Sequence, residues 1–374
     1  MRGFRIATLF GIPIEINPSW LFIFALILWS LTAGVFPQTY PGLSSALYAV
    51  MGVVTTVLFF SSLVAHELSH SLVSQHYGLR VRRIILFVFG GISETTQELP
   101  SPKIEFQVAV AGPLMSFALG ALFALLAWGL GQQAAFGPAS AVAAWLAVVN
   151  VALGLFNLLP GFPLDGGRLL RAAAWQATGN LRRATRIASR GGQLVGLLMM
   201  LWGFWRLMRG DLFGAVWVGA IGYLLFQAAA STYGELLVQT ALSHVGVTEI
   251  MSHDPKVLAP DMTLQEVVDD YLMRYPYGGY PVVDGHLDGV LQANRIKEVP
   301  TAEWPTRRVG EVMQPLNDRE ALDAHATVAE ALTRFNQLGL GRLPVVDQGQ
   351  VVGVLSQSDV VRWLAWHPEA GEEG

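Results

Sequence analysis

Val64-Ala-His-Glu-Leu-Ser-His70 lies inside a long apolar run that extends from Leu47 to Val73. A helix would place His66 and His70, which are four residues apart, on one face and about 6 Å from each other. Two imidazoles at that spacing can hold one metal ion, with Glu67 next to the position of an attacking water. Two histidines and a carboxylate that hold zinc with one open position form a hydrolytic arrangement.

The surroundings of this short pattern make it informative. His-Glu-x-x-His occurs by chance in many proteins, and in a soluble amphipathic helix it would be a weak signal. Here three ionisable residues interrupt a stretch that is long and apolar enough to lie in a bilayer, where such residues are costly and usually functional. We therefore expect a metal site within the membrane.

Composition divides the chain into two parts. Of its 374 residues, 52% are hydrophobic and only 14% are charged, against about a quarter charged in an average soluble domain. Nearly all long apolar runs lie in residues 1–240, which predicts a membrane domain there and a smaller soluble region from residue 245 onward. The net charge of −4 argues against a nucleic-acid partner, and the absence of cysteine restricts zinc ligands to His, Asp, Glu and water.

Six apolar stretches approach the length of about 20 residues that a bilayer-crossing helix needs. They cover residues 19–36, 47–76, 106–130, 139–159, 193–208 and 212–230. With six spans, twelve Lys and Arg residues fall in loops on one side and two on the other. Because positive loops stay in the cytoplasm, we expect a multi-pass protein of the cell membrane with both termini in the cytoplasm. The histidine pair then lies in the cytoplasmic half of the bilayer.

A third ligand is expected in the segment Asn157–Arg168, which reads N-L-L-P-G-F-P-L-D-G-G-R. Pro160 and Pro163 would end the fourth span, and the glycines allow the backbone to turn sharply. Asp165, held by such a turn at the cytoplasmic side, could point back into the bundle as a zinc ligand. An Asx turn at the surface is the alternative.

The two motifs together resemble those of the site-2 proteases, which are intramembrane zinc metalloproteases. The resemblance covers the whole membrane half, including Ala111-Gly-Pro113. It implies that His66, His70 and Asp165 are zinc ligands and that Glu67 is the general base.

Two further positions follow from the same resemblance. Asn157 matches an Asn that helps to hold the substrate backbone or the oxyanion. Ser116 departs from the family, which often has Asn at this position. The departure concerns a helix-packing contact and leaves the chemistry unchanged.

The segment Val81–Gln97 is rich in Ile, Val and Phe and contains Gly90-Gly91, which predicts β-strands. In the family a similar segment enters the membrane as a sheet edge beside the active site, which implies that Phe89, Gly90 and Gly91 contact the substrate. An unwound substrate could add to that edge as a further strand. A plain interfacial hairpin is the alternative.

The soluble region contains two similar segments that are about 62 to 64 residues apart. Val247-Thr-Glu-Ile-Met251 matches Val309-Gly-Glu-Val-Met313, and Pro-Val-Val-Asp occurs at both Pro281 and Pro344. The pair resembles tandem cystathionine-β-synthase (CBS) domains, which we place at residues 245–300 and 305–368. Such pairs often bind adenine nucleotides.

The two repeats differ at the positions where the CBS family contacts a nucleotide. Gly353–Asp359 reads G-V-L-S-Q-S-D, in which Ser356 and Asp359 match the positions that contact phosphate and ribose. The first repeat has Q-A-N-R instead, so we expect at most one good nucleotide site. A spacer, or a dimerisation module that makes a homo-oligomer, is the alternative.

We therefore expect a polytopic α-helical membrane protein, with about six transmembrane helices and a small membrane-associated β-hairpin or sheet, followed by an α/β tandem CBS module. The expected function is that of a zinc-dependent intramembrane endopeptidase that cleaves membrane-spanning proteins near the cytoplasmic side and is gated by the CBS pair. A CBS-regulated transporter or channel is one alternative, because its intramembrane charges would line a path across the bilayer. An inactive homologue that only binds membrane proteins is another, against which the intact ligands and base argue.

Overall fold

The structure is a computed structural model that describes residues 3–87, 90–95, 99–133, 136–275, 277–316 and 320–367. The chain divides into two compact units, Met1–Tyr233 and Gly234–Gly374. Each is described below by itself.

The first unit contains one four-stranded sheet, in the order β1-β2-β3-β4. Its strands are β1 (Phe4–Leu9), β2 (Ile12–Ile16), β3 (Val81–Phe87) and β4 (Gly90–Thr95). β2 and β3 run parallel, and both outer pairs are antiparallel. The strands predicted in the segment after the second span are therefore present, and they extend the N-terminal hairpin.

This sheet rests on the helix that carries the histidines. Ile12 of β2 and Ile84 of β3 lie on the buried face of the sheet and pack against Leu68. Leu68 lies between His66 and His70 in the sequence. Arg83 and Glu15 form an ion pair across the parallel strands, with Nη1 and Oε2 2.8 Å apart. The ion pair thus joins the two parallel strands, and the apolar contact with Leu68 packs the sheet against the segment that carries the two histidines.

The described residues form eight α-helices that begin in the first unit. They are α1 (Ser19–Ser30), α2 (Phe36–Thr39), α3 (Ser45–His76), α4 (Pro102–Gly131), α5 (Gly137–Asn157), α6 (Asp165–Thr178), α7 (Leu181–Met208) and α8 (Leu212–Leu242). A π-helical turn, Leu31–Val35, joins α1 and α2 into one rod. α4 packs on α3, α5 and α6, so it lies at the centre of the bundle.

Five of the described helices are long and apolar enough to cross a membrane: Ser19–Thr39, α3, α4, α5 and α8. The sequence predicted six. The difference is α7. Its first half carries Arg182, Arg183, Arg186 and Arg190, and glycines and Arg206 lower the mean hydropathy of its second half.

α7 nevertheless lies close along α8 in antiparallel orientation. A Cβ atom on Gly196 would come within 2.6 Å of the carbonyl oxygen of Gly222, and one on Gly203 would come within 3.0 Å of the amide nitrogen of Gly219. Small residues at such crossings let two backbones approach closely, as they do in membrane helix pairs. The glycines that lower the hydropathy of α7 are therefore the residues that join it to α8.

The second unit contains two small sheets covered by short helices. Its described helices and strands are α9 (Val247–Ile250), β5 (Ser252–His253), α10 (Leu264–Glu266), β6 (Gly279–Val283), β7 (Leu287–Gln292), α11 (Ala293–Glu298), α12 (Val309–Val312), β8 (Gln314–Pro315), β9 (Leu322–Asp323), α13 (Val328–Leu338), β10 (Arg342–Asp347), β11 (Gln350–Ser356) and α14 (Gln357–Trp366). A π-helical segment, Val267–Leu272, continues α10, and a 3₁₀ turn, Thr301–Glu303, follows α11.

The two repeats exchange a strand. β5 from the first repeat pairs with β11, giving the order β5-β11-β10-β9, and β8 from the second pairs with β7, giving β6-β7-β8. Neither sheet is complete without the other repeat. The exchange explains the paired glycines, because a Cβ on Gly289 would come within 2.4 Å of the Gln314 carbonyl oxygen, and one on Gly353 within 2.4 Å of Met251 Sδ.

Candidate metal centre

α3 presents both histidines to the interior of the bundle. Ser44 caps this helix by accepting a hydrogen bond from the amide of Leu47, and the following 32 residues are helical without a break. His66 and His70 are only 2% and 5% exposed. Their Nε2 atoms are 3.3 Å apart, so the one-turn spacing brings the two ring nitrogens together.

Asp165 reaches the same point from the first residue of α6. Its Oδ2 lies 3.1 Å from His66 Nε2 and 3.2 Å from His70 Nε2. Gly166 and Gly167 make this position possible. A Cβ on Gly166 would lie 2.3 Å from the Leu158 carbonyl oxygen, and one on Gly167 equally close to the backbone of Gly161. The Asp-Gly-Gly sequence thus lets the start of α6 pack directly on the preceding turn.

Each imidazole is oriented through its other ring nitrogen. His70 Nδ1 donates to the carbonyl oxygen of Val108 at 2.6 Å, which leaves the Nε2 lone pair free for a metal. His66 Nδ1 lies 2.8 Å from Ser116 Oγ. Both partners are on α4, and such outer hydrogen bonds fix the tautomer and orientation of ligand histidines. The sequence singled out Ser116 only as a departure in packing, so its contact with a ligand was missed.

Gly112 of α4 forms the floor beneath the imidazoles. A Cβ at this position would lie 2.2 Å from His70 Nε2 and 2.5 Å from His66 Nε2. Only glycine leaves that space open. The glycine of the Ala-Gly-Pro motif therefore has a structural role beside the imidazoles. The motif is visible in the sequence, but the sequence did not predict this role.

Glu67 lies where the helix meets the edge of the sheet. A Cβ on Gly91 would lie 2.6 Å from Glu67 Cγ, so β4 passes directly over this side chain. Ser93 of β4 is also within hydrogen-bonding distance of Ser71, with the two Oγ atoms 3.0 Å apart. β4 pairs with β3 on one side, and no described strand pairs with its other side.

A buried ion pair fastens α6 to α4. Glu105 is fully buried, and its Oε1 accepts a hydrogen bond from Arg171 Nε at 2.6 Å. Arg171 Nη2 lies 2.5 Å from the same oxygen in the ion pair. The Arg171 guanidinium also lies 5.1 Å from the ring centroid of Phe162, in the turn before Asp165. This pair therefore holds both α6, which begins at Asp165, and the turn that precedes it.

The remaining predicted site residues lie in different places. Asn157 is the last residue of α5, and its Nδ2 donates to the Leu153 carbonyl oxygen at 3.0 Å. Gly90 and Gly91 open β4, whereas Phe89 lies outside the described residues.

Ser356 and Asp359 form the capping box of α14. Asp359 Oδ2 accepts from Ser356 Oγ at 2.6 Å and from the Ser356 amide at 3.0 Å. Both residues line a cleft of about 380 Å³ between the two repeats, together with Lys256, Arg342 and Arg362. Desolvation lowers the pKa of Arg342 from its ordinary value, while nearby Asp359 and Tyr280 oppose that shift.

The three converging side chains fit a zinc ion. Ligands about 2.0–2.1 Å from a tetrahedral zinc lie about 3.3 Å from one another, and the Nε2, Nε2 and Oδ2 atoms here are 3.1–3.3 Å apart. Two imidazole nitrogens and one carboxylate oxygen form a common catalytic zinc set. The space that Gly112 leaves open lies beside these same atoms.

Comparison with known proteins agrees with this geometry. The model of peptidase family M50 matches residues 54–131 and 127–201, and that of the CBS domain matches residues 247–299 and 309–365. The chain is 34% identical to sll0528 of Synechocystis sp. over 97% of this chain and 96% of that protein. It is also 34% identical to Rip3 of Mycobacterium tuberculosis, over 95% of this chain and 91% of that protein.

Both relatives are named as zinc metalloproteases. Among solved structures, the site-2 protease of Methanocaldococcus jannaschii aligns over 62% of this chain and 95% of its own, with 26% identity and a TM-score of 0.44. The chain belongs to peptidase family M50, the site-2 type of zinc metalloendopeptidase, and carries a tandem CBS pair after its peptidase unit.

Proposed function

We propose that this chain cuts membrane-spanning proteins within the bilayer, near its cytoplasmic side, as an enzyme of regulated intramembrane proteolysis. The observation that carries the proposal is the convergence of His66, His70 and Asp165 inside a bundle of membrane-length helices. Ionisable groups in such surroundings are costly and are usually kept for function.

The roles of the individual side chains follow from their positions. His66, His70 and Asp165 would hold the zinc ion, which when bound supplies a Lewis acid for the scissile carbonyl and for water. Glu67 would take the proton of the attacking water and pass it to the leaving nitrogen. Asn157 would turn its Nδ2 from the Leu153 carbonyl to the substrate oxygen that becomes negative.

The substrate would bind as an extended strand along β4. A peptide bond within a helix is shielded, so the segment to be cut must first unwind. β4 offers an edge next to Glu67, and backbone pairing at such an edge holds an added strand. Gly90 and Gly91, together with Phe89, would then contact the substrate on its way to the zinc.

Both termini would lie in the cytoplasm if α7 crosses the membrane as a sixth span. The close antiparallel packing of α7 on α8 supports this arrangement. The twelve positive residues then share the cytoplasmic side, as the positive-inside rule requires.

The CBS pair would regulate cleavage by binding an adenine nucleotide in the cleft beside α14. Lys256 and Arg362 pair with Asp254 and Asp359 in the lining of the cleft. Arg342 is the third cation of the lining and gives it a formal excess of positive charge, which suits a phosphate. Ser356 and Asp359 would contact phosphate and ribose. A nucleotide bound between the repeats would change the relative orientation of their two strand-exchanged sheets. This change would control the access of substrate to the peptidase site.

Substitution of the base tests the peptidase proposal. Full-length Glu67→Gln should keep one zinc per chain, because the three ligands remain. Its cleavage rate should fall about 10²–10⁴-fold. The substrate for this assay is a single-span protein that co-purifies with the variant and is reconstituted together with it. Glu298→Gln makes the same change of charge at the exposed end of α11, in the second unit, and should cleave normally. Wild-type cleavage by Glu67→Gln would contradict the proposed mechanism.

The nucleotide proposal has a separate test. Isothermal titration of AMP and ATP into the full chain should give at most one site, which Asp359→Ala removes. Asp347→Ala, at the exposed end of β10, serves as the control. Equal binding by both variants would place the nucleotide elsewhere.

A further inference from the structure

We propose that the groove between α7 and α8 binds the headgroup of an anionic phospholipid. The groove has a volume of about 360 Å³ and lies within the first unit. Its walls are Arg186, Ser189, Arg190, Gln193, Ala230 and Tyr233.

Among the described carboxylates, none neutralises the positive charge of this groove; the side chain of Glu235 on α8 lies outside the described residues. Arg186 and Arg190 are one helical turn apart, and neither forms an ion pair with a described carboxylate. The sequence contains no Asp or Glu from Gly166 to Gly210. Two adjacent guanidinium groups that pair with no described carboxylate form a site for a phosphate, which Arg can bind through paired hydrogen bonds.

Tyr233 orients the guanidinium group of Arg186. Arg186 Nε donates to the Tyr233 hydroxyl at 2.7 Å, and the guanidinium lies 5.3 Å from the centroid of the Tyr233 ring. The Tyr233 hydroxyl therefore acts as an acceptor toward Arg186 and can still donate its own proton. The remaining N–H groups of Arg186 are available to an anion in the groove.

Ser189 gives an independent indication of a missing acceptor. The residue is 3% exposed and lines the groove, and its Oγ has no hydrogen-bond partner among the described residues. A buried hydroxyl without a partner is costly. Rotation about the Cα–Cβ bond would turn this hydroxyl toward a phosphate oxygen held by Arg190.

The continuation of the groove favours a lipid over a free phosphate. Arg186, Arg190, Gln193, Leu197 and Leu201 follow one another at helical spacing on one face of α7. Leu197 and Leu201 are 44% and 55% exposed. The face is thus cationic at one end and apolar beyond it, which matches a headgroup followed by its acyl chains.

Native mass spectrometry of the full-length protein in detergent tests the proposal. Titration with 1-palmitoyl-2-oleoyl-phosphatidylglycerol should show one retained lipid, whose affinity falls at least about tenfold in Arg186→Gln/Arg190→Gln. Phosphatidylcholine should bind at least about tenfold more weakly to the wild type. The control is Arg183→Gln/Arg209→Gln, which removes the same charge from one residue of α7 and from the residue directly after α7, both outside the groove, and should retain the lipid.

Three results would overturn the proposal. Equal loss in the two double variants would show that only the overall charge of α7 matters. Equal retention in both would show that the lipid binds elsewhere. Displacement of the lipid by inorganic phosphate at equal concentration would assign the groove to a soluble anion. If the groove variant fails to assemble, Arg190→Gln alone against Arg183→Gln makes the same comparison.

Discussion

Ser116 and His66 meet across two helices, with Ser116 Oγ 2.8 Å from Nδ1 of the imidazole. For His66 to bind a metal through Nε2, its Nδ1 must carry the proton, so that Nδ1 donates a hydrogen bond and the serine oxygen accepts it. The hydroxyl therefore selects the tautomer that can serve as a ligand.

Removal of this hydroxyl should weaken zinc binding. Ser116→Ala leaves His66 free to rotate and to change tautomer, so we expect a loss of about 10–100-fold in zinc affinity, measured by competition with a chelator. Ser74→Ala is a matched control, because Ser74 is also buried but bonds only to the His70 carbonyl oxygen. Unchanged affinity in Ser116→Ala would remove the serine from the metal centre.

A methyl group at position 112 should exclude the metal. In Gly112→Ala the new Cβ would fall 2.2 Å from His70 Nε2 and would push the imidazoles apart. We expect zinc content after dialysis to fall by at least about tenfold. Gly129→Ala lies on the same helix with open space around it and should retain the metal. A zinc-loaded Gly112→Ala protein would mean that the imidazoles move apart in the functional state.

The Glu105–Arg171 pair should be needed both for stability and for the third ligand. Arg171→Gln leaves the Glu105 carboxylate buried without its partner, which costs about 3–5 kcal/mol when a buried pair is broken. The thermal midpoint and the zinc affinity should fall together. The double variant Glu105→Gln/Arg171→Gln should recover part of the thermal midpoint, because no unpaired charge then remains. A double variant no more stable than Arg171→Gln would contradict this explanation.

The strand exchange between the CBS repeats leads to a separate prediction about the stability of the second unit. Gly289→Ala would drive a Cβ against the Gln314 backbone oxygen of β8, and overpacking of this kind costs about 1–3 kcal/mol. The thermal midpoint of the second unit should fall. Gly341→Ala meets only the end of the Gln357 side chain, at 3.9 Å, and should change little. Equal midpoints would mean that β8 does not pair with β7 in solution.

The fold and the metal motif could be predicted because their signals are local or periodic. His66, Glu67 and His70 share one helical turn, and Asp165 lies in a turn marked by its prolines and glycines. The CBS repeats are visible as a period of 62 to 64 residues. Each of these signals is carried either by residues that are close in the sequence or by a pattern that recurs at a fixed interval.

The missed features are contacts between remote segments. Ser116 is separated from His66 by fifty residues and Arg171 from Glu105 by sixty-six. No spacing in the sequence relates them, and only the packing of α4 on α3 and α6 brings them together. The number of spans was uncertain for a different reason. The glycines that fit α7 to α8 also lower its hydropathy.

The central claim is that His66, His70 and Asp165 share one zinc ion. X-ray absorption at the zinc K-edge, on the wild type and on Asp165→Ala, tests it most directly. The wild type should show two imidazole nitrogens and carboxylate oxygen at about 2.0–2.2 Å, with one zinc per chain. Asp165→Ala should lose the carboxylate signal and most of its zinc. An unchanged spectrum with full occupancy in Asp165→Ala would contradict the claim.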